Sequence, residues 1–303
     1  MLHKTYLPFT EEDLKEHFRY SENDITENLK KRIAKFEKSI KNYSEYIPDD
    51  TDKKKWKIIR QIEKDETFWT ASSLMTIFRS DNSKEELKNV LIHAFGEKPP
   101  LDDFSNWEDC LKDELFLFFE PQISSPKKYR DWLKENVENR TIIPYILEKA
   151  KHKNGNEYRS NLESSTKVDA LLLNKTNGFN VFIEAKVLSD ISHSVDYDST
   201  RNQIARNLDV MLSKDESNNF FNKRKTENSL FLLLTPEVFK DNSRSRLYGY
   251  VIDDYQKNSE SIKRDLPHRD DIDFENIPKR IGWITWEKLK EINSDCCKWI
   301  NKF

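Results

Sequence analysis

The sequence predicts a mixed α/β fold, one sheet flanked by helices, preceded by an all-helical N-terminal region. Three observations carry that expectation. Residues 167–173 and 179–187 are short runs rich in apolar and β-forming side chains. The break between them, Asn174-Lys175-Thr176-Asn177-Gly178, ends in Asn-Gly, which tolerates the positive φ of a tight turn, so an antiparallel hairpin is expected. Residues 229–235 and 281–285 are two more apolar runs of strand length, each with helical patterns before and after it. The first 120 or so residues carry helical periodicity without an evident strand signal.

Composition narrows the function classes. The 303 residues hold 51 basic and 54 acidic side chains, net charge −3, so any basic surface for a polyanion must be local. Only five glycines occur, and there is neither a P-loop nor a dinucleotide fingerprint. The three cysteines, Cys110, Cys296 and Cys297, have neither a disulfide framework nor zinc-ligand spacing. No apolar leader opens the chain and no run of about 18 apolar residues occurs, so a cytoplasmic protein without a membrane partner is expected.

Along the chain, Thr10-Glu11-Glu12-Asp13 caps a first short helix. Ile25, Leu29, Ile33, Phe36, Ile40, Tyr43 and Ile47 then form a single apolar stripe, suited to packing within the region or against a partner helix or second copy. Ser83-Lys84-Glu85-Glu86 opens a helix that Gly96 stops, and Ser105-Asn106-Trp107-Glu108 opens another, with Leu111, Leu115, Phe118 and Phe119 on its buried side. The Pro121–Pro126 segment is the expected boundary, leaving residues 1–124 for recognition or partner binding and 125–303 as a second domain. Basic runs lie at Lys30-Lys31-Arg32, Lys53-Lys54-Lys55-Trp56-Lys57 and Lys127-Lys128-Tyr129-Arg130; solvated helix faces or phosphate contacts both suit them.

Tyr129, Trp132, Leu133 and Val137 mark a helix, and Ile142, Ile143, Ile146, Leu147 and Ala150 mark another that Pro144 restarts. A weak strand signal covers 158–162. After the hairpin, Asp198-Ser199-Thr200 starts a helix with Ile204, Leu208, Met211 and Leu212 on its apolar face; Gln203, Arg206, Asn207 and Val210 form an adjacent stripe. Thr200-x-x-Gln203 is itself a capping box, which gives Gln203 a purely local alternative. Leu247, Val251 and Tyr255 line a helix, a charged loop spans 257–279, and Leu289, Ile292, Cys296 and Trp299 line the last helix.

Side chains alternate along a strand, so Glu184 and Lys186 share a face. A two-residue turn at Asn177-Gly178 sets Asp169 opposite Lys186, whereas a four-residue loop sets Asp169 opposite Glu184; both registers keep all three on one face. Two carboxylates so placed can converge on one magnesium ion, which binds through one or two carboxylates and takes other ligands from water and phosphate. A surface ion pair between Asp169 and Lys186 is the plainer alternative. Against it, the surrounding runs look buried on both faces, where a charged trio is costly.

Asp169, fourteen intervening residues, then Glu184-Ala185-Lys186 resembles the PD-(D/E)XK nuclease superfamily, with Val168 in place of the proline. The resemblance covers roughly 125–303 and implies a restriction-endonuclease-like sheet and a magnesium-dependent DNA endonuclease, with manganese as substitute metal. Asp169 and Glu184 would be metal ligands, and Lys186 would orient or deprotonate water or neutralise phosphate charge. An extra acid on the helix before the first strand is also implied, for which Glu138 is the candidate and Glu148 the reserve. The helix after the hairpin flanks such sites, so Gln203 is expected at a metal water and Arg206 at a phosphate; Lys53, Lys54 and Lys55 would add phosphate contacts. Restriction or phage defence is the role most often implied, and a binding module that kept the fold without catalysis is the rival.

Overall fold

The computed structural model describes residues 11–20, 29–31, 33, 34, 65–152, 155, 157–192, 194, 195, 197–214, 219–297 and 300. Helices α1 (Glu11–Glu16), α2 (Glu66–Phe78), α3 (Ser83–Phe95) and α4 (Trp107–Leu111) precede strands β1 (Leu115–Phe119) and β2 (Gln122–Ile123). Next come α5 (Lys127–Arg140), α6 (Pro144–Ala150), β3 (Thr166–Lys167), β4 (Ala170–Asn174) and β5 (Asn180–Ala185). The chain continues through α7 (Gln203–Met211), β6 (Ser229–Thr235), α8 (Glu237–Asp241), α9 (Leu247–Lys257), α10 (Ser259–Asp265), β7 (Ile281–Thr285) and α11 (Trp286–Ile292).

Five strands form one mixed sheet in the order β1-β4-β5-β6-β7. β4 runs antiparallel to both its neighbours, and β5, β6 and β7 run parallel. The hairpin closes through the four-residue loop 175–178, with Asn174 N–H donating to Phe179 O at 2.8 Å and Gly178 N–H to Asn174 O at 2.9 Å. The Asn174 side chain accepts from the N–H groups of Thr176 and Asn177, and Gly178 takes φ +80°. Ala170 pairs with Ile183, so continuing the register by one residue sets Asp169 opposite Glu184.

Period-two alternation divides the apolar side chains between two cores, one on each face of the sheet. Ala170, Leu172, Val181, Ile183, Leu230 and Leu232 pack with α2 and α3 side chains such as Trp69, Met75 and Leu91. Leu171, Leu173, Phe182, Phe231 and Leu233 pack with Ile204 and Leu208 of α7 and Tyr248 and Ile252 of α9. Asp169 and Glu184 continue this second row, Lys186 extends it past the end of β5, and α7 lies over it.

The N-terminal region is not all helical. Leu115, Phe118 and Phe119, read above as one side of a helix, lie in β1, which pairs with β4 along its whole length. The helix ends at Leu111, and Asp113, with φ +61°, turns the chain into the strand. Leu117 and Phe119 then fill one core while Phe116 and Phe118 face the other, a two-sided burial that leaves an apolar run without visible alternation. One core therefore takes side chains from both sides of the boundary expected at residue 124. The weak strand signal at 158–162 corresponds to a single bridge between Lys151 and Tyr158.

The other elements follow their local signals. α3 ends at Gly96 with φ +96°, and Pro144 starts α6. Tyr129, Leu133 and Val137 of α5 are buried with Ala150 and Leu162 in a small third core. Ile142 and Ile143, counted above with the apolar positions of that helix pair, are instead exposed. α10 occupies part of the stretch 257–279 that was expected to be a loop. Lys53, Lys54, Lys55 and most of the Ile25–Ile47 stripe lie outside the described residues. No helix among the described residues is long and apolar enough to cross a membrane.

Candidate active site

The expected trio gathers at the end of β5. Lys186 Nζ donates to Glu184 Oε1 at 2.5 Å, with both side chains almost wholly buried. Asp169 Oδ2 accepts the Ala185 N–H at 2.8 Å, which ties the first carboxylate to the backbone between the other two residues. Burial and the adjacent Glu184 charge push the Asp169 carboxyl up to about 8. Burial alone would lower Lys186, but the charges of Glu184, Asp169 and Glu66 outweigh it and hold the ammonium above its ordinary value. Lys186 is therefore a cation and a donor here, suited to charge neutralisation rather than to accepting a proton.

Two amides from α7 complete the environment of Glu184. Gln203 Nε2 donates to Oε1 at 2.6 Å and Asn207 Nδ2 donates to Oε2 at 2.8 Å. The residues are four apart, one helical turn, so both amides reach the same carboxylate. The capping box open to Gln203 does not form: Asn202 caps α7 by accepting from Ala205 N–H, and Thr200 Oγ1 donates to Asp198. Asn207 lies on the stripe already visible in the sequence, but nothing there singled it out from its neighbours.

Glu138 is not part of this cluster. It accepts from the Tyr158 hydroxyl at 2.7 Å on the outer side of α5. Glu148 forms an i,i+3 ion pair with Lys151. The acid that does reach the trio is Glu66, in the first turn of α2, a helix that precedes β1. Its Oε1 accepts the Val187 N–H at 3.2 Å and the Ser189 hydroxyl, and its Oε2 lies 3.8 Å from Lys186 Nζ. A usable signal existed in Asp65-Glu66, an N-cap followed by a first-turn acid, but with β1 read as helix the position of α2 in the topology was hidden.

Arg206 points to a neighbouring segment. It donates to the carbonyls of Ser164 and Ser165 at 2.9 and 3.0 Å, and its Nε lies 3.3 Å from Glu163. With Gln203, Ser164, Ser192 and Ser194 it lines a polar cavity of about 250 Å³ beside the site. Below it, Arg201 bridges Glu163 and Asp209 at 2.9 and 2.8 Å, and His268 and Arg269 hold the other Asp209 oxygen. These buried charges fix α7, and hence its two amides, against the chain on either side.

Asp169 and Glu184 are hard oxygen donors of the type magnesium takes; burial first and the Glu184 charge second raise the Asp169 carboxyl, and a cation between the two would favour its charged form. The donor set is small: among the described residues no group of three or more His, Cys, Asp or Glu side chains is arranged to hold a metal. One or two carboxylates suffice where phosphate supplies further ligands. No family model matches the chain, and comparison with curated proteins and with solved structures gives no match.

Proposed function

We propose that this protein is a magnesium-dependent nuclease that hydrolyses phosphodiester bonds in DNA on a restriction-endonuclease-like sheet. The observation that carries the reading is the convergence of half-buried Asp169 with buried Glu184 and Lys186 on one face of the hairpin, with the α7 amides fixing Glu184. The strand arrangement supports it: a three-strand antiparallel run, then a helix, then a parallel strand. Glu66, on a helix ahead of β1, supplies the extra acid that the resemblance implies.

Asp169 and Glu184 would hold magnesium, or manganese in its place, which when bound supplies a more acidic water and a counter-charge for phosphate. Gln203 and Asn207 keep the Glu184 carboxylate in one plane, so its oxygens need not reorganise during the reaction. Lys186 donates from its ammonium toward an anionic phosphate oxygen, and Glu66 keeps that ammonium charged and in place. Asp169, tied to Ala185 N–H, holds the distance between the two carboxylates.

A second reading has its own support. Glu184 already accepts from three donors, and the lack of a three-ligand group among the described residues also suits a silent module that binds DNA or a protein without cutting. Supercoiled plasmid and single-stranded DNA incubated with the protein, with and without magnesium, separate the two. Magnesium-dependent nicking that falls at least about 100-fold in Glu184→Ala supports the nuclease. Binding without cleavage in magnesium or manganese supports the silent module.

A further inference from the structure

β5, β6 and β7 run parallel, so their carboxyl ends share one edge of the sheet, the edge at which open α/β sheets take ligands. Lys186 follows β5 there, and from Thr235 at the end of β6 the chain passes through α8 to Arg246, the N-cap of α9. The sheet register links this helix to the site. Glu184 pairs with Leu233 and Leu233 with Trp283, and Tyr248 of α9 packs edge-on against the Trp283 ring at 6.0 Å. The loop after Lys186 ties down the same corner: Asp190 accepts the Leu247 and Tyr248 N–H groups at 2.7 and 3.2 Å, and Arg246 Nη2 donates to Leu188 O at 3.3 Å. Burial raises the Tyr248 hydroxyl, while the charges of Arg246 and Lys186 both reach it and act the other way.

A polyanion meets an unfavourable charge balance at this edge unless a cation is left over. Lys186 stands against Asp169, Glu184 and Glu66, and its ammonium lies 2.5 Å from Glu184 and 3.8 Å from Glu66. Arg206 is likewise matched, 3.3 Å from Glu163. Arg246 pairs with no carboxylate among the described residues; the Asp190 oxygens are taken up by the helix N–H groups. Its half-buried guanidinium lies 4.3 Å from the centre of the Phe239 ring, a stacking that holds the planar fork in place. The long bond to Leu188 O engages Nη2 alone, and Nε has no partner. An oriented arginine with donors to spare and no counter-charge suits the non-bridging oxygens of a phosphodiester.

We propose that Arg246 is a phosphate-binding residue of this site, engaging a backbone phosphate of duplex DNA next to the one that Lys186 faces. The proposal rests on the nuclease reading. Held by the loop that follows Lys186, Arg246 sets the position of the strand over Glu184 and supplies attraction where the acids of the site repel.

The test measures binding of the full chain to a short DNA duplex across a salt series, in calcium, which is expected to support binding with little cleavage. Arg246→Ala should bind at least about tenfold more weakly at low salt, and its slope of log K against log salt should shrink by about 0.9, one phosphate contact. Its Tm should stay within about 2 °C of wild type. Arg246→Lys should regain the slope, since it keeps the charge, but only part of the affinity, since it loses the fork. Lys257→Ala, at the far end of α9 and paired with Asp253, should match wild type in both. An Arg246→Ala protein with wild-type affinity and slope overturns the assignment. So does one whose affinity and Tm fall together without recovery in Arg246→Lys, which would make the bond to Leu188 O purely structural. If Arg246→Ala binds normally while Glu184→Gln abolishes magnesium-dependent nicking, the nuclease reading stands and only the phosphate contact fails. Binding without cutting, with the slope shift intact, keeps the phosphate contact and removes the nuclease. A wild type that neither binds nor cuts DNA overturns both.

Discussion

Lys186→Met tests the electrostatic balance of the site most directly. Methionine keeps most of the buried stem and removes the charge that faces Glu184 at 2.5 Å and Glu66 at 3.8 Å. Opposite charges about 4 Å apart attract by roughly 4 kcal/mol at an effective dielectric of 20. Removing one member of a buried pair costs about 3 to 5 kcal/mol, because the other is left uncompensated. In the metal-free protein the variant should therefore lose about 3 kcal/mol or more, on the order of 5 to 10 °C in Tm. Magnesium should restore part of that loss, since a bound cation takes over the role of counter-ion; a ligand at 100 times its Kd stabilises by about 2.7 kcal/mol. The assay is denaturant unfolding of both proteins in chelator and in magnesium, with the shift by magnesium larger for Lys186→Met by at least about 1 kcal/mol. A loss below about 1 kcal/mol in chelator, as for an exposed pair, or an equal magnesium shift in the two proteins, would refute the reasoning.

Glu66→Gln keeps an acceptor for Val187 N–H but removes the charge beside Lys186, so plasmid nicking should drop at least about tenfold with little change in Tm. Glu138→Ala, whose bond is to Tyr158 on the outer side of α5, should leave nicking within about twofold of wild type. Gly282→Ala should destabilise by about 1 to 3 kcal/mol in thermal unfolding, because its Cβ would meet Phe95 ring carbons at 2.6 Å and Ala94 O at 3.0 Å. Burial alone would raise Asp209, but the bond from His268 and the charge of Arg201 outweigh it and hold the carboxyl below its ordinary value. That stabilisation is complete above the unfolded carboxyl value of about 3.9 and is lost as pH falls below it. Asp209→Asn should thus be less stable than wild type at pH 7, and unfolding measured across acid pH should show the difference shrinking below about pH 4.

Much of the site was legible because strand parity is local. Asp169, Glu184 and Lys186 share a face in either register of the hairpin, and the four-residue loop that forms is one of the two open from the sequence. The parallel strands over 229–235 and 281–285 and the helix ends at Gly96 and Pro144 follow equally from short-range apolar and turn signals. β1 did not: buried on both faces, Leu115–Phe119 shows no alternation, and only pairing with β4, more than fifty residues away, makes it a strand. The same distance hid Glu66, which meets Lys186 only because α2 packs on the sheet beside the end of β5. It also hid the exposure of Ile142 and Ile143, since an apolar run says that burial is favourable but not whether a neighbour arrives to provide it. The sequence by itself determined which side chains share a strand face, because alternation is a property of the backbone. Which acid, amide or apolar surface completes the site was decided by the tertiary structure, because that depends on long-range packing between elements whose local patterns are indistinguishable from those of their neighbours.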